Sequence, residues 1–159
     1  MITLRPAVEA DQPRIVAIIR AAQINPMDLK WPNFVLAVDD TTGEVVGTGQ
    51  IKTHRDGSRE LASIAVVPEY RRRGIAHQIV QHLIARNTGA LFLTCRSDME
   101  KLYAPFGFRT IGEREMTPYF RRLNKIAGAV GFLSRGDVKL LVMKREERDV
   151  PAERLYLYS

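Results

Sequence analysis

The feature that most constrains this sequence is an apolar, largely β-branched run over residues 60–67 that leads directly into a basic turn. Such a run predicts a central strand that is buried on both faces. The turn comprises residues 68–74, and apolar residues then recur at helical spacing over 74–86. The order of strand, turn and helix predicts that the turn lies at one end of a sheet.

The other predicted elements surround this unit. The predicted strands are residues 2–5, 34–39, 44–52, 90–95, 108–112 and 138–144. The predicted helices are residues 8–22, 74–86 and 99–106, and residues 27–31 form a short helix or a loop. In the first of these helices, one apolar face contains Val8, Ile15, Ile18 and Ile19. This mixed order predicts an α/β fold with a mostly antiparallel central sheet and flanking helices. The length of 159 residues favours one domain over 1–159, with a core over about 2–144 and a C-terminal tail over 145–159.

Composition narrows the class of protein. The longest unbroken run of apolar residues and glycine, 126–133, is too short to cross a bilayer. The N-terminus lacks a basic segment followed by an apolar stretch, so we expect a cytoplasmic protein with no transmembrane segment. A single cysteine, Cys95, cannot form an internal disulfide, which agrees with a reducing compartment.

Cysteine and histidine give no sign of metal or thiol chemistry. Cys95 is interpreted as a small buried apolar residue, and the alternative, a catalytic thiol, would need a histidine partner. His54, His77 and His82 form no recognisable arrangement with Cys95 and lack the spacing of metal ligands. We therefore predict no metal.

The formal net charge of +6 is compatible with nucleic acid, an anionic membrane surface or a small polyanionic ligand. Nucleic acid is disfavoured because no aromatic residues are interleaved with Arg71, Arg72 and Arg73.

The turn before the second long helix has the features of an anion site. The first turn of a helix has backbone N–H groups without internal acceptors, and the helix dipole adds partial positive charge there. Gly74 lets a phosphate approach the backbone, and Ala76 keeps the next position small. The three arginines add charge and bidentate contacts. The alternative is a basic helix start with solvated arginines.

A longer pattern resembles a known family. The segment Leu61-Ala-Ser-Ile-Ala-Val-Val-Pro-Glu-Tyr-Arg-Arg-Arg-Gly-Ile-Ala76 is similar to the main motif of the GCN5-related N-acetyltransferases, with Arg71, Gly74 and Ala76 at its signature positions. Downstream, residues 102–108 resemble the family's tyrosine and Phe-Gly-Phe-type turn, and residues 4–7 with Asp11 resemble many family N-termini. The resemblance covers about residues 2–112.

This resemblance implies a cofactor and the residues that bind it. It implies a sheet splayed into a V, acetyl-coenzyme A as cosubstrate, and pairing of its pantetheine arm with the backbone of Ile64, Ala65 and Val66. The pyrophosphate is expected on N–H groups of the residues from the turn into the helix, which are Arg71, Arg72, Arg73, Gly74, Ile75, Ala76 and His77. Many members have an asparagine where this chain has Arg96-Ser97-Asp98. Ser97 is the candidate to replace it, whereas Asp98 does not suit an anionic ligand.

Transfer of an acyl group to an amine needs a base and an acid. Tyr103 is the candidate acid for the leaving thiolate because it matches the family's tyrosine, and the alternative is a core tyrosine. Glu60 is the candidate base because strand alternation puts it on one face with Val66, whose N–H is the candidate oxyanion donor. The alternative for Glu60 is a solvated carboxylate at a strand start.

The acceptor is a small-molecule or peptide amine that the sequence does not identify. In this family the region matching residues 25–32 usually shapes the acceptor pocket, and Trp31 there is interpreted as a packing residue. Within residues 116–136, an apolar helical stripe is interpreted as a packed helix or a lid, with a homodimer contact or a membrane-surface helix as alternatives. The predicted function is N-acetyl transfer from acetyl-coenzyme A, and the alternative is a non-catalytic acyl-coenzyme A sensor.

Overall fold

The structure is a computed structural model that describes residues 1–129 and 138–147. These residues belong to two compact units. The first comprises Met1–Lys52 and Leu61–Asn87, and the second comprises Thr53–Glu60 and the chain from Thr88 onward. Most of the predicted C-terminal tail and the end of the 116–136 stretch lie outside the described residues. The expectation of one domain over 1–159 stays a prediction.

The first unit is built on the N-terminal strands. Its elements are β1 (Ile2–Pro6), α1 (Gln12–Ala21), β2 (Phe34–Asp39), β3 (Val45–Thr53), the greater part of β4 (Arg59–Val66) and α2 (Ile75–Ala85). β1 pairs antiparallel with β2, and β2 pairs antiparallel with β3. The core forms where Ile15, Ile18 and Ile19 of α1 pack with Phe34 and Leu36 of β2.

Helix α2 packs directly on the sheet because β3 carries glycine beneath it. A Cβ on Gly49 would overlap the side chain of Ile79, and one on Gly47 would lie 3.1 Å from the Cδ1 atom of the same isoleucine. Substitution at either glycine would therefore push α2 away from the strand.

The second unit contains β5 (Leu91–Arg96), α3 (Glu100–Tyr103), β6 (Arg109–Thr110), α4 (Pro118–Ala129) and β7 (Leu140–Arg145). β7 pairs antiparallel with both β5 and β6, while Glu60, at the start of β4, pairs parallel with Phe92 of β5. The core of the unit contains Phe92, Ile111, Met116, Phe120 and Val142.

The predicted α/β fold with a mixed, mostly antiparallel sheet and flanking helices is confirmed, with strand order β1-β2-β3-β4-β5-β7-β6. The first helix begins at Gln12, so the prediction that Val8 lies on its apolar face is wrong, and Val8 is 54% exposed. Residues 27–31 form no α-helix. The predicted helix 99–106 is a four-residue α-helix between two 3-10 turns, the second of which contains Pro105.

Asp56 ties the turn between β3 and β4 to the start of α4. Its carboxylate accepts hydrogen bonds from the Ser58 amide at 2.9 Å, the Ser58 hydroxyl at 2.6 Å and the Tyr119 amide at 2.9 Å. Desolvation opposes ionisation, but the bonds from Ser58 and Tyr119 outweigh it and lower the pKa of Asp56 to about 2. Asp56 thus satisfies a backbone donor at a helix start, as an N-cap residue does.

We expect Asp56→Ala to lower the free energy of unfolding by about 1 kcal/mol at pH 7 because it removes these bonds. Since the folded pKa lies below the ordinary value of 3.8, the contribution is present above that value and is lost as the pH falls through about 2. Denaturant unfolding between pH 7 and about pH 2 measures this difference. Glu113→Ala, which alters another exposed carboxylate, is the control. An Asp56→Ala effect that does not shrink in acid would contradict the assignment.

Candidate active site

The turn between β4 and α2 contains two residues with left-handed backbone conformation. Gly74 is the N-cap residue of α2, its φ of 77° lies in the left-handed region, and no side chain caps the helix. Arg72, with φ of 64°, is also left-handed, which is uncommon for a residue with a side chain. The N-cap residue therefore gives the first N–H groups of α2 no side-chain acceptor.

The three arginines have different surroundings. The Arg71 Nε donates to the carbonyl of Val66 at 3.0 Å, which joins the turn to the end of β4. Arg73 donates to the carbonyl of Glu69 at 3.1 Å and its guanidinium lies 4.8 Å from the ring centroid of Tyr70. Arg72 is exposed and has no hydrogen bond or ion pair within the described part of the chain. Two arginines thus hold the turn, whereas the Arg72 side chain makes no such bond to the described residues.

Strand β4 does not alternate regularly. Ser63 has φ of 59°, in the left-handed region. The Thr48 hydroxyl donates to the Ser63 carbonyl at 2.8 Å and the Gln50 amide donates to the Ser63 hydroxyl at 2.8 Å. The alternation that put Glu60 and Val66 on one face is therefore wrong, because it assumed an unbroken strand.

Ile64, Ala65 and Val66 follow this irregularity. Ala65 is buried in the core of the first unit, whereas Ile64 and Val66 are half-buried. An irregular strand leaves backbone groups outside the regular ladder.

Glu60 is buried, contrary to the alternative of a solvated carboxylate. Its Oε1 lies 2.9 Å from Nε2 of His54, and the two side chains are only 7% and 9% exposed. The His54 ring stacks on Tyr119 with centroids 3.5 Å apart. Sequence reasoning missed the pairing of His54 with Glu60, although the position of His54 across a short turn from Glu60 was a usable signal.

Tyr103 lies in the second unit between α3 and the following 3-10 turn. Burial, and secondarily the neighbouring Cys95, raises the pKa of Tyr103 to about 12. Its ring meets Phe108 edge to face, with centroids 6.2 Å apart. A phenol in this environment stays protonated at physiological pH, as a proton donor must.

Cys95 is unsuited to nucleophilic chemistry. Burial, with Glu100 and Asp98 nearby, raises the pKa of its thiol to about 11. Its Sγ lies 3.7 Å from Sδ of Met143. The residue is half-buried and protonated at neutral pH, in line with the apolar interpretation rather than the catalytic one.

The segment after β5 carries Ser97. Its amide donates to the carbonyl of Lys139 at 2.8 Å, and its hydroxyl accepts from the amide of Lys139 at 3.0 Å. The hydroxyl hydrogen is free to serve another acceptor. Asp98 is paired with Arg96 at 3.1 Å, so its charge is compensated locally.

The region before β2 is held by side-chain bonds that the sequence did not indicate. Gln12 donates to the Leu29 carbonyl and accepts from the Trp31 amide at 2.9 Å. Trp31 packs against the core of the first unit, which confirms its interpretation as a packing residue.

Helix α4 packs through its first half. Phe120 is fully buried, and Tyr119 and Leu123 pack around it in the core of the second unit. Ile126 is 53% exposed, and Val130 lies outside the described residues. Packing therefore accounts for the start of the apolar stripe.

Across residues 1–129 and 138–147, no helix is long and apolar enough to span a membrane. The same residues contain no group of three or more histidine, cysteine, aspartate or glutamate side chains arranged to hold a metal ion.

Several solved structures share this fold. N-acetylglutamate synthase from Neisseria gonorrhoeae, complexed with coenzyme A and N-acetyl-glutamate, matches with a TM-score of 0.71 and 22% identity over 92% of this chain and 35% of its own. Rv2747 from Mycobacterium tuberculosis, in complex with CoA, matches with a TM-score of 0.69 and 21% identity over 91% of this chain and 98% of its own. The ribosomal-protein-S18-alanine N-acetyltransferase from Escherichia coli matches with a TM-score of 0.66 and 19% identity over 98% of this chain and 99% of its own.

The chain spans about a third of the length of the first of these proteins. A search of curated protein sequences finds no match. The model of the acetyltransferase (GNAT) family matches residues 6–108, a range that includes the irregular strand β4, the left-handed Gly74 and Tyr103. The chain therefore belongs to the GNAT acetyltransferase family.

Proposed function

We propose that the protein transfers an acetyl group from acetyl-coenzyme A to a primary amine by direct attack in a ternary complex. The observation that carries this proposal is the turn after β4, where α2 starts at a left-handed Gly74 and Arg72 makes no hydrogen bond or ion pair with the described residues. We interpret this turn as an anion site. That turn lies within the part of the chain that the family model matches.

The pyrophosphate of the cofactor is assigned to the N–H groups between Arg71 and His77. The helix dipole and the guanidinium of Arg72 add favourable charge there. The pantetheine arm is assigned to the backbone of Ile64, Ala65 and Val66, and Ser97 is assigned a further polar contact through its free hydroxyl hydrogen.

The reaction needs a neutral amine, which is scarce at pH 7 for an alkylamine with a pKa near 10.4. We assign proton removal to Glu60, directly or through water, with His54 as its hydrogen-bond partner. The amine nitrogen forms a bond to the thioester carbon, and the carbonyl oxygen becomes an oxyanion that the Val66 N–H stabilises. Collapse breaks the carbon–sulfur bond, and Tyr103 gives its proton to the departing thiolate.

The acceptor is an amine on a small molecule or a peptide. Proteins of the same fold include an N-acetylglutamate synthase and an enzyme that acetylates alanine of ribosomal protein S18. Both acceptor classes therefore enter the test.

Thiol release from acetyl-coenzyme A, measured across polyamines, amino acids, aminoglycosides and peptides, tests the proposal. We expect release above the hydrolytic background with a subset of these amines. Binding of acetyl-coenzyme A without release for any of them would instead identify a sensor.

Glu60→Gln is the matched variant for that assay because it keeps the side-chain size and removes the base. We expect it to bind coenzyme A and to release thiol with an altered pH–rate profile. An unaltered profile would remove Glu60 from the chemistry.

We expect Tyr103→Phe to lower kcat about 100-fold without changing the dissociation constant of coenzyme A, because it deletes only the proton donor. Since the pKa of Tyr103 is about 12, its ionisation produces no loss of activity below about pH 10. Steady-state kinetics and titration calorimetry measure the two effects. Tyr70→Phe, which alters a tyrosine bonded to Asp39, is the control. Equal turnover by Tyr103→Phe and the wild type would exclude the acid role.

A further inference from the structure

Lys52, near the end of β3, is a buried cation with too few partners. The residue is only 6% exposed. Its Nζ donates one hydrogen bond, to the carbonyl of Met27 at 3.1 Å, and it forms no ion pair with a carboxylate in the part of the chain described. An ammonium has three donors, so two are left without an acceptor among residues 1–129 and 138–147. Buried lysines are rare unless they are paired, because desolvating the charge is costly.

Gln50, two residues earlier on the same strand, has an acceptor atom without a donor. It is fully buried, and its Nε2 donates to the Ser63 hydroxyl at 2.8 Å and to the Asp28 carbonyl at 3.3 Å. Its Oε1 is buried without a partner among the described residues. The Asp28 carbonyl can only accept, which fixes the amide with its oxygen unpaired.

The two side chains belong to one site. Residues two apart on a strand lie on the same face, about 7 Å apart along the chain. Both side chains reach the loop before Trp31, through the adjacent carbonyls of Met27 and Asp28. The residue Asp28 has φ of 57°, so the loop adopts an uncommon conformation where it meets them.

We propose that Lys52 and Gln50 bind the head group of the acceptor, and that the acceptor is a free amino acid or another compact amino-carboxylate. Spare ammonium donors suit a carboxylate, and an unpaired amide oxygen suits an N–H group of the amine. The proposal rests on the proposed acetyl transfer and names its substrate class. Gln50 contacts Ser63, one residue before the backbone assigned to pantetheine, so the amine lies beside that part of β4.

A role confined to holding the loop explains less. Gln12 already donates to the Leu29 carbonyl of the same loop. One donor from each side chain would also suffice to bind Met27 and Asp28. Such a role gives no reason to bury the remaining ammonium donors and the free amide oxygen, each of which costs stability when unsatisfied.

The test compares the standard L-amino acids with their primary amides in the thiol-release assay, using the full chain. The amide keeps the reacting amine and removes the negative charge. We expect kcat/KM for the preferred amino acid to exceed that for its amide by about 100-fold, the range expected for a charge-assisted hydrogen bond. Amides used as efficiently as the acids would overturn the proposal.

The variant Lys52→Met tests whether Lys52 causes the preference for amino acids over their amides. We expect it to raise KM for the amino acid about 100-fold, to lower kcat/KM for the amide far less, and to leave KM for acetyl-coenzyme A unchanged. Lys30→Met, an exposed lysine of the same loop, is the matched control. Equal losses with acid and amide would show a loop-holding role only and would overturn the proposal. If Lys52→Met does not fold, the comparison of acids and amides on the wild-type protein decides.

The head-group site can be tested separately from the proposed acetyl transfer. Should no amine release thiol, the proposed transfer fails, and the head-group site is then read from the melting temperature. The site is supported if amino acids raise the Tm of the wild type more than their amides do, and if the same amino acids do not raise the Tm of Lys52→Met. Equal shifts from acids and amides would reject it.

Discussion

The hydrogen bonds that hold Ser63 in a left-handed conformation are the constraint on which the candidate active site depends. Thr48 binds the carbonyl of Ser63 and Gln50 binds its hydroxyl, so two side chains of β3 maintain an irregularity in β4. Without it, β4 would be an ordinary strand with all its backbone groups in the ladder. The residues from Ile64 to Val66 would then have less capacity to pair with a ligand.

The same strand leads into the turn that we propose as the anion site. Arg71 bonds back to the Val66 carbonyl, so the end of β4 and the start of α2 hold each other in place. Gly74 supplies the left-handed residue that an uncapped helix start requires here, where a Cβ would meet no protein atom within 4 Å but would cost backbone strain. The space beside the turn is therefore open for phosphate to approach.

Much of this arrangement was predictable from the sequence, and the failures have physical causes. The apolar run of β4, the helical spacing of α2 and the glycine between them are local patterns, and they were assigned correctly. Alternation failed at Ser63 because the irregularity is imposed by side chains of another strand. The pairing of His54 with Glu60 and the burial of Lys52 likewise depend on tertiary contacts, which local periodicity does not encode.

Phosphate binding by the turn after β4 is measured most directly by calorimetric titration of the protein with coenzyme A and with pantetheine, which lacks the phosphates and the adenosine. If the turn after β4 binds the pyrophosphate, coenzyme A binds at least about 100-fold more tightly, and added salt reduces the difference. Equal affinity for the two ligands, independent of salt, would contradict the account.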